Sequence, residues 1–258
     1  MEVLFTNAPK HATQIAEAAV KRRCDIVVAV GGDGSVNEIG KALVSTDTAL
    51  AIIPTGSGNG LARHLGIPLE ASRAIDVISE GQMKTIDSVQ INDQFYFGIA
   101  GIGFDAQISW DFAEYGRRGF LSYLLLTLKQ FPSYQPRSYE LVIDGDKIEK
   151  EAFLVSFANG SQFGNGVAIA PEAQIDDGYL DVVVLKKFPK TSLARLVWKL
   201  FHHTIHHSRY VETFRCKKVS IQEPNLRAHI DGEPVFFPDG MKLEVVPSSL
   251  KVLVPFGI

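Results

Sequence analysis

Three stretches hold residues whose types and spacing could do chemistry. Gly31-Gly32-Asp33-Gly34-Ser35-Val36-Asn37-Glu38 and Pro54-Thr55-Gly56-Ser57-Gly58-Asn59-Gly60 are glycine-rich, and His229-Ile230-Asp231-Gly232-Glu233-Pro234 is an acidic turn far along the chain. Glycine has no Cβ, so a ligand can approach such a backbone closely. Where a loop of this kind opens a helix, unpaired N–H groups and the positive end of the helix dipole suit a phosphate. Asp33 makes sense among anion-binding groups if it organises Mg²⁺ or a water beside phosphates. Neither standard nucleotide loop is present. A P-loop requires four residues between its first Gly and Gly-Lys-Ser/Thr. Here five separate Gly34 from Gly40-Lys41, and Ala42 stands where the hydroxyl belongs. A dinucleotide fingerprint starting at Gly32 fails at Asn37.

The elements that must position these loops can be read from periodicity. Residues 25–30 and 49–53 are continuous apolar runs, predicting strands buried on both faces, each ending in a glycine loop. Helices are predicted over 12–22, 35–44 and 70–81, and the run 2–6 reads as strand-like. Strand–helix alternation predicts a small doubly wound parallel α/β domain over residues 1–87, with both loops at strand carboxyl ends, where such folds bind ligands. Beyond it the runs alternate in and out and are broken by turns such as Asp144-Gly145 and Asp239-Gly240. An antiparallel β-sandwich with two helices, 119–131 and 191–207, is therefore predicted over 88–258.

Bulk properties exclude several classes. The 258 residues carry a net charge of −3, which argues against a general nucleic-acid binder. Cys24 and Cys216 form no CxxC, so a disulfide framework is not expected and a reducing, cytoplasmic setting is. The first residues lack the pattern of a signal peptide, and the apolar run 120–128 is too short to span a bilayer. That run reads as a core helix rather than a membrane-docking one. The pairs His202/His206 and His203/His207 read as a polar helix face rather than a metal clamp, and Lys21-Arg22-Arg23 as a solvated helix end.

At the two glycine loops the chain resembles the diacylglycerol kinase catalytic-domain family, which includes bacterial lipid kinases and sphingosine kinases. The likeness continues through Gly101-Ile102-Gly103-Phe104-Asp105-Ala106, the stretch 170–182 and the turn 229–234. It implies an ATP- and Mg²⁺-dependent kinase of a lipid hydroxyl, its site between an NAD-kinase-like α/β domain and a β-sandwich. Gly31, Gly32, Asp33, Gly34, Ser35 and Asn37 would surround the nucleotide, with Gly56, Ser57, Gly58 and Asn59 in the second loop and Thr6 near the adenine. The resemblance makes Glu233 the general base, puts Asp231 and Asp33 in the metal–water network, and sets Arg63 near the cleft. It also implies a structural Mg²⁺ on the Asp177 carboxylate and the carbonyls of Gln174 and Tyr179. The expected partner is a lipid substrate met transiently at the membrane surface, and a homodimer is compatible. The chain opens near the family's second strand, without its first strand and NPxSG-like loop. Gly60 stands where many bacterial members have Asp. Two alternatives follow: an impaired nucleotide- or lipid-binding protein, and a kinase of a soluble acceptor such as NAD.

Overall fold

The fold was examined in a computed structural model, which describes residues 2–114 and 120–257, with the backbone alone for 120–124. Helix α1 (His11–Lys21) packs on α2 (Asp33–Leu43) beside strands β1 (Ile26–Gly31) and β2 (Ala49–Pro54), which pair in parallel. The short α3 (Gly60–His64) and α4 (Ala71–Glu80) complete this half. Strand β2 is buried nearly throughout, as its apolar run predicts. Strand β1 is not. It ends the sheet, and Val28 and Val30 are exposed, Val30 by 62%. A continuous apolar run reports what a strand can tolerate, whereas burial also needs a neighbour on each side. The strand-like run 2–6 forms no strand and is exposed.

The second half contains β3 (Gln82–Ile91), β4 (Gln94–Tyr96), β5 (Ile99–Gly103), α5 (Phe104–Glu114), α6 (Phe120–Gln130), β6 (Arg137–Ile143), β7 (Asp146–Ala158) and β8 (Leu180–Lys186). It continues with α7 (Leu193–Phe201), β9 (Val211–Cys216), β10 (Lys218–Ile221), β11 (Leu226–Ile230), β12 (Glu233–Phe237) and β13 (Met241–Val254). Its pairings are antiparallel, and the main path of the sheet runs β1-β2-β13-β10-β6-β7-β5-β11-β12. Asp144 and Gly145 both take positive φ between β6 and β7, as an Asp-Gly hairpin turn requires. Gly119, predicted to open α6, lies outside the described residues. The helix predicted over 191–207 stops at Phe201, because His203 takes φ 55°. The predicted histidine pairs therefore do not share a helix face. Instead His202 stacks on Trp198, and the His206 and His207 rings lie against each other at a tilt of 50°.

Strands β3 and β13 serve both halves. Ile86, Leu250, Val252 and Val254 belong to the α/β core, while Val89, Ile91, Leu243 and Val245 belong to the β-sandwich core. The register of β13 shifts between Val246 and Leu250, where the strand passes from one core to the other.

Candidate active site

The two glycine loops rest on each other. A Cβ on Gly32 would lie 3.0 Å from the Gly56 Cα, and the Thr55 N–H donates to the Gly31 carbonyl at 2.9 Å. Glycine at 32 and 56 is thus required for loop-on-loop packing, before any ligand arrives. Asn59, at φ 53°, closes the second loop: its Oδ1 accepts from Gly56 N–H (3.0 Å) and its Nδ2 donates to Gly56 O (2.8 Å). Arg63 donates from Nε to the Gly58 carbonyl (3.0 Å), so its predicted place near the cleft is also a brace for this loop. Helix α2 starts two residues earlier than predicted, at Asp33. The first amide to bond back along it is Val36 N–H, to Gly32 O at 3.1 Å. The amides of Gly34 and Ser35 therefore lead the helix without an intrahelical acceptor, the arrangement that attracts phosphate.

The two aspartates are held by different neighbours. Asp33 Oδ1 accepts from Gly60 N–H at 2.7 Å, which makes it the cap of α3, one loop away. Burial, and next the charge of Asp231, push its pKa above the usual carboxylate range. Asp231 Oδ1 accepts from Gly98 N–H (3.1 Å) and Ile99 N–H (2.9 Å), and its Oδ2 accepts from Asn37 Nδ2 (2.7 Å). Burial raises its pKa too, against the pull of those donors. Asn37, expected at the nucleotide, lines the cavity described below and is also a buried link from α2 to the far half of the chain.

Asp231 and Gly232, at φ 48° and 86°, are the two central residues of the β11–β12 turn, which Ile230 and Glu233 flank as a register pair. This turn carries the exposed Glu233 over the first loop, with Oε1 3.7 Å from the position a Cβ on Gly34 would take. A cavity of about 240 Å³ opens beside it. Asp33, Asn37, Ser57 and Asp231 line one part, and Leu61, Phe97, Ile99, Phe112 and Phe163 the apolar remainder. The structure thus gathers Asp33, Gly34, Ser57, Asp231 and Glu233 at one place. Thr6 is exposed in the irregular first segment and is not among the cavity's lining residues.

The turn 174–179 is a separate feature. Asp177 Oδ1 accepts from Tyr179 N–H (2.9 Å), and its Oδ2 is paired with Arg215, whose guanidinium also lies 4.7 Å from the Tyr179 ring centre. Asp176 pairs with Lys84 at 3.0 Å, and Gly178 N–H donates to Asp87 at 2.6 Å. As arranged, these residues do not fit a bound divalent ion, because a guanidinium already neutralises the one carboxylate such an ion would use. Among the described residues, no three His, Cys, Asp or Glu side chains cluster to hold a metal.

Sequence reasoning passed over two supports. His229, 3% exposed, bonds through Nε2 to Asp105 Oδ2 at 3.1 Å, and Gly232 N–H reaches its Nδ1 at 3.4 Å. Gly101 leaves the room for this pair, since a Cβ there would fall 2.6 Å from His229 Nε2. His64 Nδ1 accepts from Ser161 N–H at 3.1 Å, joining α3 to the β-sandwich half. Burial lowers its pKa from 6.5 to about 4. Both partnerships link residues roughly a hundred positions apart, and no local pattern signals them.

Residues 1–91 match the diacylglycerol kinase catalytic domain, and residues 98–254 match the YegS C-terminal NAD kinase beta sandwich-like domain. A Mycobacterium tuberculosis protein named diacylglycerol kinase is 33% identical over 253 residues, covering 95% of this chain and 81% of that one. The chain belongs to the diacylglycerol kinase catalytic-domain family. A probable YegS-like lipid kinase of Chromohalobacter salexigens is 30% identical, with 95% of this chain and 80% of that protein covered. A crystal structure of a putative diacylglycerol kinase from Bacillus anthracis superposes with a TM-score of 0.79 at 23% identity, covering 99% of this chain and 86% of that one. That likeness shows the shared fold. Membership makes the chain an enzyme of the lipid-kinase type, and kinases of this family use ATP.

Proposed function

We propose that this enzyme transfers the γ-phosphate of ATP, with Mg²⁺, to a hydroxyl of a diacylglycerol or a related long-chain lipid. The observation that carries the reading is Glu233 Oε1 over Gly34 in the first turn of α2, on a turn whose Asp231 and Gly232 line the largely apolar cavity. Phosphoryl transfer needs positioning and charge neutralisation more than covalent chemistry from the protein. The Gly34 and Ser35 amides orient a phosphate, and the packed glycine loops keep them fixed. Glu233 Oε1 takes the proton of an acceptor hydroxyl presented from the cavity. Phe97, Ile99 and Phe163 hold the acyl part and exclude water. Asp33 and Asp231, two buried acids disfavoured as anions, fit a nearby cation. Asp33 and Asp231 would hold Mg²⁺, which would supply charge neutralisation to the phosphates.

Incubation with labelled ATP, Mg²⁺ and a panel of lipids in mixed micelles tests the reading. Labelled lipid is expected, with loss of labelling in Glu233→Gln. Absence of labelled lipid overturns the proposal, as does turnover confined to a soluble acceptor such as NAD.

A further inference from the structure

Helix α7 lies outside the site just described and has two unlike faces. Leu193, Leu196 and Leu200 pack into the core, Leu196 fully buried. On the opposite side, at helical spacing, stand Arg195, Trp198 and Phe201, with Trp198 55% and Phe201 43% exposed. His202 stacks on Trp198 and leaves more than half of it in water, so Trp198 and Phe201 stand as exposed apolar surface on this face.

The charge around this face is one-sided. Between Asp181 and Glu212 the sequence contains Lys186, Lys187, Lys190, Arg195, Lys199 and Arg209, with no Asp or Glu, in a chain whose net charge is −3. Lys186 and Lys187 are paired with Glu212 and Glu151. Lys190 and Lys199 donate to the Pro132 and Thr204 carbonyls and Arg209 to the Tyr210 hydroxyl, but among the described residues these three and Arg195 meet no carboxylate, so their charge is not neutralised. The helix is also tied to the active cleft. The carbonyl of Leu200 accepts from Ala168 N–H at 3.1 Å, and the preceding residues Val167 and Phe163 line the cavity.

We propose that the outer face of α7 docks the enzyme on a bilayer carrying anionic phospholipid. Trp198 and Phe201 enter the interfacial region, and Lys190, Arg195, Lys199 and Arg209 lie against the headgroup phosphates. An amphipathic helix with aromatic residues on one side and cations around them has this affinity, and each cation near an anionic surface adds about fivefold to binding. Charge complementarity selects a lipid surface over an apolar protein partner. The link through Leu200 and Ala168 sets the inner side of α7 next to residues that line the cavity, with the docked face on the helix's other side. The docking rests on the lipid-kinase reading for its purpose, though not for its geometry.

The test is co-sedimentation of the full chain with vesicles of phosphatidylcholine, with and without phosphatidylglycerol. The wild type is expected to bind the anionic vesicles selectively. Trp198→Ser with Phe201→Ser, and separately Arg195→Glu with Lys199→Glu, should each weaken that binding by about tenfold or more. Both should leave phosphorylation of a monomeric short-chain diacylglycerol unchanged. Wild-type binding by either double variant, or equal wild-type binding to both vesicles, overturns the proposal and points to a protein partner. A probe independent of α7 folding uses the chain's two tryptophans. In Trp110→Phe, emission from Trp198 should shift to the blue on anionic vesicles, and an unmoved spectrum overturns the proposal. If vesicle binding depends on α7 but no lipid is phosphorylated, the docking face stands and the lipid-kinase reading falls. The reverse pattern separates the two equally well.

Discussion

Two turns in this molecule share a sequence pattern, Asp-Gly followed by a larger residue, and differ in backbone and in use: Asp231 takes φ 48°, whereas at the other turn only Gly178 takes positive φ. At Asp231-Gly232-Glu233 the aspartate points inward. Its oxygens are taken by two backbone amides and by Asn37 from the other half of the chain, and the next side chain is left free over the glycine loops. At Asp177-Gly178-Tyr179 the aspartate is taken by an arginine, and the next side chain stacks near that same arginine. The same three-residue pattern can therefore bind the two halves of the chain together or form a surface clasp. The difference lies in what the rest of the chain brings within hydrogen-bond reach.

The largest expected effect sharpens the contrast in activity. Glu233→Gln should lower turnover by about 10²–10⁴-fold, measured with labelled ATP and lipid micelles, while the melting temperature stays close to that of the wild type. Next comes stability at the inner turn. Asp231→Ala strands the amides of Gly98 and Ile99 and the Asn37 amide, and should cost about 3 kcal/mol in urea unfolding. A loss below about 1 kcal/mol would mean that the inner turn is held no more firmly than the outer.

The third test concerns pH. The folded pKa of His64 is depressed from 6.5 to about 4, so the stability it contributes is complete above pH 6.5 and is lost as pH falls through about 4. Thermal scans from pH 7 to 4 should show a steeper decline for the wild type than for His64→Asn, and parallel curves would remove His64 from the account. Asp177→Ala breaks a pairing whose guanidinium lies open to water and should cost about 1 kcal/mol in the same urea assay. The smallest effect is none at all. Because Arg215 fills the role of the cation at the outer turn, EDTA should leave the melting temperature unchanged. A fall with EDTA that Asp177→Ala abolishes would show that an ion displaces the guanidinium.

The sequence made some of this legible and concealed the rest for physical reasons. Strands β1 and β2 and the helices flanking them follow from apolar periodicity, and the glycine loops from their position between strand and helix. The purpose of Gly32 and Gly56 was only half legible, because their contact joins two loops rather than loop and ligand. Asp33 reads as a ligand-facing acid, yet its nearest partner is the Gly60 amide, 27 residues away. Helix α5 was missed because Ile99–Gly103 and Phe104 form one apolar run, and only the helical turn after Gly103 separates strand from helix. Asn37 with Asp231, and Asp105 with His229, pair across 194 and 124 residues. Such contacts are products of topology, which no window along the chain contains.

The passage of β13 from one core to the other has a consequence for how the protein could be divided. The two matched segments, 1–91 and 98–254, look like modules that a gene could exchange. Yet Val252 of the second segment pairs with Leu50 of the first, and Leu250, Val252 and Val254 fill the first segment's interior. Residues 1–91 expressed alone would present β2 as a bare sticky edge, the kind that recruits other chains. The two halves are therefore one folding unit, and β13 is the seam that closes it.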